Sequence, residues 1–199
     1  MPKWSSSSDL PRPIRTPEAD FLATLTARRS GIGGDLEAVD LATVLRLSTM
    51  LRSRRQDGRF GAWESRTAPS AGGIHGVSLV ALPLGSGPLG LYDDAKHRLL
   101  HPEDDAAVRE RNRASVAMLC GATAGTTVQL VADASRYAAC YDDHDSLMWR
   151  DAGALLAVLS LVSTSLGLRS VILGREGGRV VEVLDVPRWT AVGAIHLGS

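Results

Sequence analysis

The chain has 199 residues, 22 of them basic and 22 acidic, so it carries no net charge at neutral pH. Its 44% apolar and 22% charged residues sit near globular averages and exclude disorder throughout. Balanced charge argues against a duplex-binding surface, and 5% aromatics against a base-stacking platform for single strands. A chain of this length buries about 70% of its unfolded surface, so one core without staples is expected. The two cysteines, Cys120 and Cys140, are too few for a disulfide framework or a structural zinc site, and read as small core residues. No basic stretch followed by an apolar run opens the chain, so no secretory signal is read and the cytoplasm is the expected compartment. The apolar stretch 152–168 is short for a membrane span and broken by Ser160, Ser163, Thr164 and Ser165. Neither nucleic acid nor membrane is therefore expected as a partner.

Residues 1–17, with four consecutive serines and four prolines, read as an irregular leader, and residues 18–199 as one domain. Pro17 opens a helical pattern in which Phe21, Leu22 and Leu25 form a stripe, closing at Arg28-Arg29-Ser30 before Gly31. A second helix carries Leu41, Val44, Leu45 and Ser48 at helical spacing, with Asp40 as its expected N-cap. Residues 52–66 are polar and basic and read as a loop. A small-residue turn over 68–76 leads into a strand at 77–83, and 89–100 reads as a hairpin. A charged helix follows over 104–117, then a central strand over 126–132. Residues 149–166 form the strongest helix, apolar nearly all round, stopped by Gly167. A short strand at 170–173, a helix or turn at 176–184 and a last strand at 191–197 complete the order. The fold class is α+β, a mixed and mainly antiparallel central sheet flanked by helices.

Four stretches could carry chemistry. Arg28, Arg29 and Ser30 can hold a phosphate through bidentate guanidinium contacts, or merely complement a helix C-terminus. Pro69, Ser70, Ala71, Gly72 and Gly73 form a wall with little bulk that a flat ligand can approach, or a tight turn. The acids around His144, at 142, 143 and 145, could do acid–base work, but suit an exposed loop better. No HExxH or comparable ligand spacing is present, so no metal site is read. The apolar helix needs cover on all sides, from the core or from a second copy.

Taken in order, these pieces resemble the FMN-dependent nitroreductase superfamily, closest to the SagB-type thiazole/oxazole dehydrogenases. The resemblance rests on Arg28-Arg29-Ser30, then Pro69-Ser70-Ala71-Gly72-Gly73-Ile74-His75. It continues through Gly90-Leu91-Tyr92-Asp93 with His97 and Leu99, Asp151-Ala152-Gly153 in the apolar helix, Leu166-Gly167-Leu168 and Leu173-Gly174. It covers roughly residues 20–198. The resemblance implies an α+β homodimer with FMN at the subunit interface. Arg28, Arg29 and Ser30 would hold the phosphate or ribityl chain. Pro69, Ser70, Ala71, Gly72 and Gly73 would line the flavin ring from the neighbouring subunit, and Leu173 and Gly174 would lie near its N5 edge. The SagB-type branch carries a Lys-Tyr pair before the long helix; here Cys140-Tyr141 stands there, so Tyr141 is the candidate catalytic base. Many nitroreductases also place basic residues after the last strand, where this chain reads Gly198-Ser199.

The function so implied is oxidation of a peptide or peptide-derived natural-product intermediate, azoline to azole, alongside partner enzymes of the same biosynthesis. An NAD(P)H-dependent reductase of small electron-poor compounds is the first alternative. A flavin-less scaffold or partner subunit, which the missing lysine would suit, is the second.

Overall fold

A computed structural model describes residues 4–12, 14–58 and 60–199. Its centre is a sheet built on strands whose side chains alternate between two covered faces. β4 (Val77–Pro83), β7 (Thr126–Asp133) and β9 (Trp189–Gly198) lie in the middle and are almost wholly buried. β5 (Gly90–Asp93), β6 (Arg98–Pro102) and β1 (Trp4–Asp9) extend one side, and β8 (Arg169–Leu173) closes the other. Among the described residues the order is β1-β6-β5-β4-β7-β9-β8, and the ladders between these strands are antiparallel.

One face packs on α2 (Ala38–Thr49) and α5 (His144–Ser165), burying Leu79, Val128, Leu130 and Leu197 against Leu41, Leu45, Leu155 and Leu159. The alternate residues Val80, Leu82 and Val131 face α3 (Ala106–Cys120) and α6 (Gly178–Val181) through Val108, Val180 and Val181. Two apolar layers on one pleated sheet follow from the period-2 alternation of the strands. Gly121 and Gly167 stop α3 and α5 in the left-handed conformation, at φ 70° and 75°.

Several expectations are corrected. The leader is not irregular over residues 4–9: β1 pairs with β6, and its serines alternate harmlessly on an exposed edge. Residues 52–66 are not a loop but an antiparallel hairpin, β2 (Leu51–Gly58) and β3 (Gly61–Arg66), which projects with mostly exposed side chains. Arg54 pairs across the hairpin with Glu64, which also binds Arg66 on its own strand. α2 starts at Ala38, so Asp40 lies in the first turn, where it takes a 2.5 Å ion pair from Arg15. The stripe on α1 (Phe21–Ala27) faces outward: Phe21 and Leu22 are 71% and 73% exposed. α5 begins five residues earlier than expected, and within one chain Trp149, Gly153 and Ala157 on it are exposed. Its length and apolarity would suit a bilayer, but Leu155, Leu159 and Ala152 are packed into the core.

Candidate functional site

The expected site residues fall at two ends of the sheet. The small-residue turn precedes β4, at the end where Val77 pairs with Ala132 and Ala132 with Thr190. The Arg28-Arg29-Ser30 stretch lies beside the start of β8, where Ser30 bridges Ser170 and Gly31 donates to the Ser170 carbonyl at 3.0 Å. That is the opposite end, on the row that joins Ser170, Leu197, Thr126 and Pro83. The two rows are separated by the run of β7 from Thr126 to Ala132, roughly 20 Å at the usual strand rise. One chain does not bring them together.

At the first end the turn is fixed by a buried carboxylate. Asp151, on the inner face of α5, accepts from Ser70 Oγ at 2.5 Å, from the Ala71 N–H at 3.0 Å and from the Tyr137 hydroxyl at 2.9 Å. Ser70 Oγ in turn accepts from the His75 N–H at 2.9 Å. Tyr137, on α4 (Ala134–Ala138), is fully buried, and its burial, with Asp151 close by, pushes the phenol pKa well up, so it is a neutral donor. The His75 ring binds the Glu64 carbonyl at 2.9 Å, and burial lowers its pKa so that it is neutral. Behind the turn lies a cavity of about 170 Å³ lined by Arg66, Asp94, Arg136 and Tyr92 besides these residues. Ser70 and Ala71 thus spend their polar groups inside the chain, and contribute shape, not hydrogen bonds, to whatever lies outside.

The outer side of the turn is covered closely by aromatic side chains. Gly72 and Gly73 have φ of 58° and 67°, and a Cβ on either would collide with the Tyr141 hydroxyl or the Trp63 ring. Tyr141 sits edge-on to Phe60 at a centroid distance of 5.0 Å. A cleft of about 560 Å³ opens here between the β2–β3 hairpin and the turn, lined by Phe60, Gly72, Gly73 and Cys140. The candidate base and the small-residue wall are therefore neighbours, although far apart in sequence.

At the second end, Arg28, Arg29 and Ser30 are all exposed. Arg29 folds back, donating to the carbonyls of Thr26 at 2.8 Å and its own neighbour Arg28 at 2.9 Å. Among the described residues neither the Arg28 guanidinium nor the Ser30 hydroxyl has a partner. Sequence reading missed Arg169: it is the first residue of β8, exposed, and packed against Gly31. Its signal was only its place before a strand. Gly174 follows β8 and is exposed with open space where a side chain would be. Leu173 turns its side chain inward among Leu84, Val116 and Ala194, so only its backbone is left for a ligand. His144 lies at the start of α5, 3.5 Å from Asp145, and no group of three or more metal-ligating side chains is found among the described residues.

No family model and no curated protein matches the chain. Solved structures do. A protein from Ralstonia eutropha JMP134 described as a nitroreductase aligns over 100% of this chain and 91% of its own, with TM-score 0.70 and 21% identity. A chain of the Escherichia coli microcin synthetase McbBCD complex, with truncated pro-MccB17 bound, aligns over 99% and 79%, with TM-score 0.68 and 13% identity. A protein of Desulfovibrio desulfuricans described as a nitroreductase, in complex with FMN, aligns over 91% and 86%, with TM-score 0.57 and 15% identity. At these identities the likeness is one of architecture, carried by a sheet and helices that match nearly end to end: the chain has the nitroreductase fold.

Proposed function

We propose that the chain is an FMN-dependent oxidoreductase of the SagB type that works as a homodimer on a peptide or peptide-derived natural-product intermediate, oxidising azoline to azole. The observation that carries this reading is the set of unspent donors at one end of β8, Arg28, Ser30 and Arg169, with the bare Gly174 beyond its other end. Such residues fit FMN: a phosphate takes guanidinium and hydroxyl donors, and a planar ring needs backbone without bulk beside it. Arg169, which packs on Gly31, adds a second cation beside Ser30.

A second copy supplies the rest of the site. The two halves lie at opposite ends of one chain, so residues 69–73 of one subunit cover the site begun by Arg28 of the other. The surface for that contact comprises the exposed Phe21, Leu22 and Leu25 of α1 and Trp149 of α5. Gly153 belongs to it as well: a helix-interior glycine costs about 0.5–1 kcal/mol relative to alanine, and nothing in this chain lies within 4 Å of a Cβ there. Close approach of another helix accounts for it.

Bound FMN supplies the two-electron acceptor, while the protein orients it and sets its surroundings. Arg28, Ser30 and Arg169 anchor the phosphate. The cleft bordered by Phe60, Gly72 and Cys140 admits the peptide. Tyr141, as its phenolate, would take the proton that the substrate releases on oxidation and become the neutral phenol. The McbBCD complex, which holds truncated pro-MccB17, supports a peptide-derived substrate and partner enzymes.

The test is a spectrum of the purified protein after gel filtration with added FMN. Flavin bands that co-elute with a dimer are expected; failure to retain FMN rejects the proposal and favours the flavin-less scaffold. The nitroreductase neighbours favour reduction of small electron-poor compounds as a second reading. Anaerobic bleaching of the flavin by NAD(P)H selects it, and an unbleached flavin selects the oxidase.

A further inference from the structure

A second cavity, of about 420 Å³, lies between α3 and α6, on the face of the sheet away from α1 and α5. Arg111, Arg175 and Arg179 line it, with no acid among its walls. Arg175 is the unusual member. It is half-buried, and its Nη2 donates only to neutral groups, Asn112 Oδ1 at 2.7 Å and Gln129 Oε1 at 3.5 Å. Its Nε and Nη1 are buried and have no hydrogen-bond partner among the described residues. Burial pushes the guanidinium pKa down to about 10, the direction expected of a cation without a counter-charge. Arg111 is 3.8 Å from Glu182, a loose pair between two exposed side chains, and donates to the Arg179 carbonyl at 3.3 Å. Apart from Ser115, the other side chains on its walls are apolar: Ala114, Val180 and Met118, which is 79% exposed at the rim.

A buried cation missing its acceptors is unfavourable until an anion supplies them. Here the cation forms part of a cavity wall, and an apolar surface continues from it to the rim. A bare phosphate or sulfate would leave that surface unfilled, whereas an anionic head on a hydrocarbon chain fills both parts. We propose that this cavity binds a small organic carboxylate carrying an apolar chain, its head at Arg175 with Arg111 and Arg179 around it and its chain along Met118 and Val180.

Octanoate is the probe, titrated into the full-length protein by calorimetry, with acetate, sulfate and octanol as controls. Saturable one-to-one binding of octanoate is expected, at least about tenfold tighter than each control, since loss of either the charge or the chain removes one set of contacts. Two variants locate it. Arg175→Met removes the charge, and Met118→Glu places a repelling carboxylate at an exposed rim position that folding does not need. Each is expected to weaken octanoate at least about tenfold, a binding change of 1.4 kcal/mol or more. Absence of saturable binding overturns the proposal. So does equal binding of octanol or sulfate, or unchanged octanoate affinity in Met118→Glu with its circular dichroism intact.

Discussion

The two ends of the sheet are built on opposite principles. Where β4 begins, the turn over residues 69–73 has its polar groups consumed by Asp151, with Tyr137 buried and His75 half-buried around it. Where β8 begins, Arg28, Ser30 and Arg169 stand exposed with their donors unspent. The first end is a finished piece of folded protein that offers shape. The second offers charge and hydrogen bonds that only something outside the chain can take up. In the proposed dimer, a site assembled from both would draw its rigidity from one subunit and its anion affinity from the other.

The sharpest way to break this contrast is Asp151→Ala. It leaves three donors facing a void, and is expected to cost about 3 kcal/mol of stability, read as a lowered chemical midpoint of unfolding. A loss below about 1 kcal/mol would mean that the turn holds itself. Arg28→Ala should do the reverse: stability within about 0.5 kcal/mol of the parent, but FMN affinity down about tenfold by fluorescence titration. Equal retention of FMN by this variant removes the phosphate role.

Acid sharpens the contrast more gently. Burial holds the imidazoles of His75, His97 and His196 below their ordinary pKa. On unfolding each regains an ordinary value of about 6.5, so between the two values the unfolded chain binds more protons. Stability should therefore be full above about pH 6.5 and fall as the pH drops toward the folded-state values. Thermal midpoints from pH 8 to pH 5 test this, and His196→Asn should flatten part of the slope. A flat parent profile would show that these rings are not buried neutral. The smallest effect belongs to Arg29→Ala. Its guanidinium already serves the carbonyls of Thr26 and Arg28, so about 0.5 kcal/mol of stability and little FMN affinity should be lost. A loss of affinity as large as that of Arg28→Ala would place both arginines on the phosphate.

The strands over 77–83 and 126–133 could be read from the chain because β-branched and apolar runs between breakers have few alternatives. Gly167 as the stop of α5 was equally legible, since the left-handed position favours glycine. The hairpin over Leu51–Gly58 and Gly61–Arg66 was not: its arginines mask the strand pattern, and Glu64 compensates Arg54 across the hairpin only after pairing. The serines of β1 hid an edge strand for a related reason, as an exposed edge needs no apolar alternation. For the candidate site, the sequence marked Arg28, Ser30 and the 69–73 turn. It was silent on Asp151 as the organiser of that turn and on Arg175 as an orphaned cation, because both depend on what surrounds a side chain.

Local order and residue chemistry thus settle a good deal by themselves: an α+β class, the central strands, a small-residue turn and a group of arginines. Only the folded chain decides that the turn and the arginines stand at opposite ends of one sheet, that Tyr141 lies over Gly72, and that the apolar stripe of α1 faces outward. Propensity and period act over a few residues, whereas these placements arise from pairings between strands distant in sequence. The register of β7 against β4 and β9 fixes them, and that register is set by burial on both faces of the sheet.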